Sequence, residues 1–351
     1  MFLACGRSLL AHFCLDAIHK LLKNRSAWYV KKTTDFDTPI FAVQGMTDGI
    51  FWAGQSLRMY NRLNAEREAA GKTKYPMRLY LGDWGHSPSQ NKQAEFAYFA
   101  GLLNGWFTHY LKGNGNRPLH TIEARMTICN GSDGALGPRY RGGDWAQVTD
   151  GTPFHFFEPT DYSLTTPADD AHDNTLIPAD GNRPNPDPKG TEGINGVKDA
   201  SCRTTDAAVD EDNVAFVSDQ LQVTDPHRRM LGMPEITMEA IPSEDEMYIA
   251  ARLWDLDPGT LPGVEDDTQT LVTRGVYRLE GPGSQNVAME MFGNGYEFPV
   301  GHHIKLELTA DDSPSWQQWK DGAAGSIVLD NIDFTMPVAR CENLLPECDE
   351  L

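Results

Sequence analysis

The segments TPIFAVQGMTDGIF (Thr38 to Phe51) and MRLYLGDWGH (Met77 to His86) constrain this chain most. Each holds a short apolar run, Ile40-Phe41-Ala42-Val43 in one and Leu79-Tyr80-Leu81 in the other. Each run leads through glycine to a titratable side chain, Asp48 in the first and His86 in the second. Unbroken apolar runs of this length are what a strand buried on both faces of a parallel sheet requires. Between the two, Ala53 to Ala70 places Leu57, Tyr60 and Leu63 at helical spacing, with charges on the other side and Gly71 as a C-terminal stop. Beyond them, Gln90 to Leu111 sets Phe96, Phe99, Leu103, Trp106 and Tyr110 at steps of three and four. Strand, helix, strand, helix predicts an α/β unit.

The texture changes after about residue 140. Helical periodicity fades, and Gly, Pro, Asn and Asp become frequent. The stretch from Pro167 to Asp212 is polar and reads as loop. Past it, Ile236 to Met238, Met247 to Trp254, Thr270 to Arg278, His303 to Leu308 and Ser326 to Phe334 alternate as short strands between turn signals. That pattern predicts a second, all-β domain, a β-sandwich or jelly roll. A chain of 351 residues has room for both. At the other end, MFLACGRSLLAHFCLDAIHKLL is broken by Arg7, His12 and Asp16 and has no basic stretch before its apolar residues. An amphipathic helix fits it better than a signal peptide. A chain that opens inside a helix, with no strand before it, reads as cut.

Charge and cysteine usage narrow the function. Thirty Lys and Arg stand against fifty Asp and Glu, a formal net charge of −20. Nucleic acid and anionic membrane surfaces both call for basic patches, so neither is an expected partner. No stretch approaches the ~18–20 uninterrupted apolar residues of a membrane span. The six cysteines form no CxxC pair, which argues against zinc. Cys341 and Cys348 flank ENLLPE: bonded, they would mark an exported protein, and as two free thiols they fit a loose tail in a cytoplasmic one. His302 and His303 are adjacent in a strand pattern, point to opposite faces and cannot share one metal ion. The acidic run Asp206 to Asp212 lacks EF-hand spacing and reads as a solvated loop. No metal and no cofactor is expected. Trp145, Trp254, Trp316 and Trp319 read as core or inter-domain packing.

Catalytic side chains of an α/β sheet gather in the loops past the carboxyl ends of its strands. Asp48 and His86 both stand there, 38 positions apart, about one strand–helix–strand unit. That spacing sets them on neighbouring strand ends, where a carboxylate bonds an imidazole and fixes its tautomer. An imidazole so held is a general base. Each has a plainer reading too: Asp48 as the cap of a helix beginning near Phe51, and His86 as an ordinary loop residue. Gly45 and Gly49 would permit a tight turn around Asp48. Asp83 reads as a residue that holds its loop by accepting backbone N–H groups.

Asp before His completes the second half of a Ser…Asp…His order. The first half is missing, because no Gly-x-Ser-x-Gly occurs in the sequence. Ser8 and Ser56 fall on helices, and Ser132 and Ser284 come after His86, in the wrong order.

Several longer motifs then fall into place. GMTDG, the GDWGH box and Trp106-Phe107-Thr108-His109-Tyr110-Leu111-Lys112-Gly113 resemble, in order, the α/β-hydrolases of the cocaine esterase and X-Pro dipeptidyl-peptidase (CocE/NonD) family. Gly232-Met233-Pro234-Glu235-Ile236, Ala251 to Pro258 (ARLWDLDP), Leu271 to Gly275 (LVTRG) and Gly301 to Leu308 (GHHIKLEL) look like the same family's C-terminal jelly roll. The resemblance implies an enzyme that cleaves ester or amide (acyl) bonds through an acyl-enzyme, with Asp48 orienting and His86 as base. It implies residues 1–33 as the end of a helical cap, 34–138 as the C-terminal part of the hydrolase domain, 139–340 as the jelly roll and 341–351 as a tail. In such enzymes the nucleophile precedes the segment where this sequence starts. The expectation is therefore a fragment, inactive by itself, whose full-length form takes a small ester or peptide substrate and forms a homo-oligomer in one reading. The alternative is a non-catalytic jelly-roll binding or assembly module. A parallel sheet without its leading strands should also expose an apolar edge and aggregate.

Overall fold

The computed structural model describes residues 20, 37–49, 51–85, 92–129, 135–149, 153–158, 162–165, 202, 204–206, 214–217, 221–224, 228–258, 268–310, 325–339 and 344–345. The expected opening helix, Cys341 and Cys348, Trp316 and Trp319, and most of Pro167 to Asp212 lie outside these residues.

The first sheet is built from β1 (Ile40–Gly45), β2 (Met77–Gly82), β3 (Ile122–Arg125) and β4 (Arg139–Gly142). β1, β2 and β3 run parallel, β2 lies in the middle of the three, and β4 turns back antiparallel to β3. The sheet thus includes β4, past residue 138 where the resemblance sets the end of the hydrolase part. It also takes a short strand, Leu344–Leu345, from the C-terminal tail.

Two helices lie on the opposite faces of this sheet. α1 (Ala53–Ala69) buries Leu57, Tyr60 and Leu63 in one apolar cluster with Met77, Leu79, Leu81, Ile122 and Ala124. Gly71 ends it at φ +67, and the bonds Gly71 N–H to Glu68 O and Lys72 N–H to Arg67 O close the Schellman arrangement that only a left-handed residue permits. α2 (Gln93–Tyr110) covers the other face, and that face is polar. Arg78 and Tyr80 alternate with the apolar residues of β2, as Glu123 and Arg125 do in β3, and all four are buried. Burial on both faces holds for β2, but only one face is apolar.

After β4 comes a single helical turn, Trp145–Val148, and the other described elements are strands. The strands are β5 (Phe154–Glu158), β6 (Tyr162–Thr165), β7 (Thr204–Asp206), β8 (Val214–Val217), β9 (Leu221–Gln222) and β10 (Arg229–Gly232). Then come β11 (Glu235–Pro242), β12 (Glu246–Asp257), β13 (Thr268–Glu280), β14 (Gln285–Glu290), β15 (Asn294–Glu297), β16 (His303–Thr309) and β17 (Ser326–Met336). They form one antiparallel sheet in the order β14-β11-β17-β5, with β6 also on β17, and another in the order β7-β13-β12-β16-β8, with β9 also on β16. The five alternating segments read from the sequence fall inside β11, β12, β13, β16 and β17. β7 lies within the stretch read as loop.

Ile236, Met238 and Ala240 of β11 meet Ile249, Ala251 and Leu253 of β12 in a single core, with Phe334 and Leu306 from either side. Alternate residues of both sheets thus face one another, as in a sandwich. Trp254 is fully buried, and Trp145 packs against the apolar cluster under α1.

The two parts are stitched together by backbone. Thr127 N–H, two residues past β3, donates to Gly295 O of β15 at 2.7 Å. A disulfide joins Cys129, just past β3, to Cys202, whose N–H donates to Leu271 of β13. It spans 73 positions, and neither cysteine stood in a motif that would announce the pairing.

Candidate active site

The loop after β1 carries Asp48. Met46 N–H continues the ladder to Gly82 O at 2.8 Å, and Thr47 N–H reaches Trp84 O at 3.3 Å. The loops at the ends of β1 and β2 are thus hydrogen-bonded to one another one residue before Asp48. Asp48 is 6% exposed, and its Oδ1 accepts the Phe51 N–H at 2.8 Å. Both readings of this residue therefore meet at one position: a carboxylate at a strand end that also ties down the turn into α1. The formal N-cap of α1 is Trp52, with no side-chain cap bond. His86 lies outside the described residues, and so does the distance between it and Asp48.

The chain turns at Met46–Thr47 and bends at Gly49, without a positive φ at either flanking glycine. Gly45 instead makes room for Trp84: a Cβ there would sit 2.7 Å from the indole Cδ1 and closer still to the Trp84 carbonyl. Gly82 faces the same indole and leaves no space for a Cβ. The Trp84 ring lies between these glycines and the rings of Tyr80, Phe96 and Phe99, with centroids 5.8 to 5.9 Å away.

Beneath the GDWGH loop is a buried charge network. Asp83 is 4% exposed; its Oδ2 accepts the Ile128 N–H at 3.1 Å and the Lys92 ammonium. Lys92 Nζ also donates to Ile128 O at 2.8 Å. Asp83 therefore does accept a backbone N–H, and the described one comes from the chain beyond β3. Its own N–H donates to Glu95 Oε1 at 3.2 Å. Glu95, fully buried, also accepts the Tyr80 hydroxyl, and Arg125 Nε lies 2.9 Å from its other oxygen. Burial pushes the Glu95 carboxyl above its ordinary range, with Tyr80 and Arg125 pulling the other way. Burial, then the Glu95 charge, pushes the Tyr80 phenol far up.

A second group follows along the same face: Arg78 Nη2 donates to Glu123 Oε2 at 2.8 Å, and Tyr98 and Arg139 complete it. Burial and the bond to Glu123 push Tyr98 up to about 12. Low local dielectric makes each of these pairs strong and each unpaired member costly. The network anchors the residues just before His86.

Elsewhere, His302 precedes β16 and its Nδ1 is 3.0 Å from Asp255 Oδ1, whose other oxygen accepts Tyr296 OH at 2.7 Å. His303 does not join this group. Among the described residues, no group of three or more His, Cys, Asp or Glu is arranged to hold a metal ion. No helix among them is long and apolar enough to cross a membrane.

No family model matches the sequence, and no curated protein matches it. Solved structures do. An aminopeptidase from the marine sediment archaeon Thaumarchaeota archaeon aligns with a TM-score of 0.55 at 12% identity, over 86% of this chain and 55% of that one. An α-amino acid ester hydrolase aligns with a TM-score of 0.51 at 13% identity, over 94% of this chain and 62% of that one. A CocE/NonD family hydrolase from Staphylococcus aureus aligns at 0.48 and 10% identity, over 93% of this chain and 59% of that one. The chain shares a fold with the first two of these structures over most of its length. At these identities the likeness is one of fold alone. The chain spans between half and two thirds of the length of the structures it matches.

Proposed function

We propose that this chain supplies the acid and base of a serine-hydrolase triad, with Asp48 orienting and His86 as general base, and that the nucleophilic serine is not among residues 1–351. The observation that carries the reading is the joined pair of strand ends: Thr47 bonded to Trp84, with buried Asp48 one residue on and His86 two residues past Trp84. In such a pair the carboxylate fixes the imidazole tautomer, and the imidazole takes the proton of an attacking hydroxyl. The serine oxygen bonds the acyl carbon, the ester C–O or amide C–N bond breaks as the imidazolium gives its proton to the leaving alcohol or amine, and water activated by the same imidazole then hydrolyses the acyl-enzyme.

Ester or amide bonds of an acyl group carrying an α-amine suit the names of both leading structural neighbours, and we carry that class to this chain. The family is that of the cocaine esterases and X-Pro dipeptidyl-peptidases, and the two-sheet sandwich is its jelly roll. The Cys129–Cys202 bond fits an oxidising compartment, hence export.

The test is to treat the purified chain with a serine-directed fluorophosphonate and a p-nitrophenyl ester. The reading expects neither labelling nor turnover above the solvent rate. Stoichiometric labelling of any serine would overturn it, since the nucleophile would then be among these residues.

A further inference from the structure

The β-rich domain reaches the acid loop directly. Glu290 ends β14, and Arg58 Nη1 of α1 donates to both of its carboxylate oxygens at 2.9 Å. The same carboxylate lies against Gly54, where it leaves no room for a Cβ. α1 has no acidic residue in its own first turn and no side-chain cap, and Glu290 from the other domain brings a negative charge to its start. Two residues on, Phe292 meets Trp52 edge-on with centroids 5.2 Å apart, and the Arg58 guanidinium lies 5.9 Å from the Trp52 ring.

Phe292 is itself fixed. Its N–H donates to Arg274 O at 2.7 Å, and its carbonyl accepts the Thr273 hydroxyl at 2.5 Å. A Cβ placed on Gly49, next to Asp48, would stand 3.7 Å from the Phe292 ring and from Arg274 Nη2. The acid loop thus lies between Trp84 of the α/β sheet, to which Thr47 is hydrogen-bonded, and Phe292 of the β-rich domain.

We infer that Arg58, Glu290 and Phe292 are positioning residues for Asp48, and that the β-rich domain is a working part of the candidate site. This rests on the reading of Asp48 as the orienting carboxylate. The path is short: Glu290 and Phe292 set Trp52 and the start of α1, Phe51 precedes Trp52, and the Phe51 N–H holds the Asp48 carboxylate. A loop set this way keeps its carboxylate in register with the imidazole, where small misplacements are costly.

The test uses the full chain and two NMR readouts: exchange of the Phe51 amide, and the low-field Nδ1 proton of His86 that a carboxylate-bonded imidazole shows. Glu290→Gln keeps shape and loses charge; Arg58→Met loses the donor. Each should speed Phe51 exchange about tenfold while the β2 amides of Leu79 and Leu81 hold, and should weaken the His86 signal. The double variant should be no worse than either single. Unchanged Phe51 exchange in both singles overturns the inference, as does equal acceleration of every amide. If Asp48→Asn leaves the His86 proton in place, the triad reading falls instead, and Phe51 exchange still judges the clamp.

Discussion

Lys92→Met removes the cation from the Asp83 network. Lys92 and Asp83 have side chains only 8% and 6% exposed, so solvent does not replace the lost partner. Removing one member of a buried pair costs about 3–5 kcal/mol. Asp83 keeps the Ile128 N–H, which places the loss toward the lower end, while the Ile128 carbonyl loses a donor worth about 1 kcal/mol. The expected loss is therefore about 3–4 kcal/mol by urea unfolding. Adding Asp83→Asn removes the stranded charge and keeps an acceptor for Ile128 N–H. The double variant should then recover roughly 2 kcal/mol relative to Lys92→Met. The Ile128 amide, bonded to Asp83, is the local reporter and should exchange faster in the single variant than in the double. A loss below about 1 kcal/mol for Lys92→Met, or strict additivity in the double, would refute the claim that these charges form one buried pair.

Two further outcomes follow. Glu95 titrates in the folded chain above its usual 4.5, because burial disfavours the carboxylate. The folded state thus holds its proton longer than the unfolded one, and this group's contribution to stability falls as pH rises from about 4.5 through the raised value. Glu95→Gln should therefore gain on the parent across that window; parallel stability curves in urea melts against pH would contradict it. Replacing Cys129 and Cys202 by Ser opens a 73-position crosslink and should cost about 4 kcal/mol on the chain-entropy account. An unchanged melting temperature under non-reducing conditions would count against the bond.

Much of the fold was legible because its signals are periodic. The runs at Ile40 to Val43 and Leu79 to Leu81, and the helical steps through Leu57 and Phe96, gave β1, β2, α1 and α2. The alternations around Ile236, Met247 and Ser326 gave the long antiparallel strands. The polar face of the first sheet was harder to see. Arg78, Glu123 and Arg125 look like surface residues one at a time; only their alternation with Met77, Leu79, Ile122 and Ala124 in neighbouring strands, opposite in charge, signals a buried network. β3 and β4 were missed because four-residue strands rich in charge carry little apolar pattern. Gly45 and Gly82 were legible as glycines, but their reason, the Trp84 indole, depends on contact across strands. The Cys129–Cys202 pair was beyond reach because its spacing has no motif.

The central claim is that Asp48 orients His86. A proton NMR spectrum of the chain, with His86 assigned by His86→Gln, tests it directly. The account predicts a low-field imidazole Nδ1 proton that disappears in Asp48→Asn while the backbone spectrum of β1 and β2 stays in place. A His86 signal indifferent to Asp48, or no such proton at any pH, would contradict it.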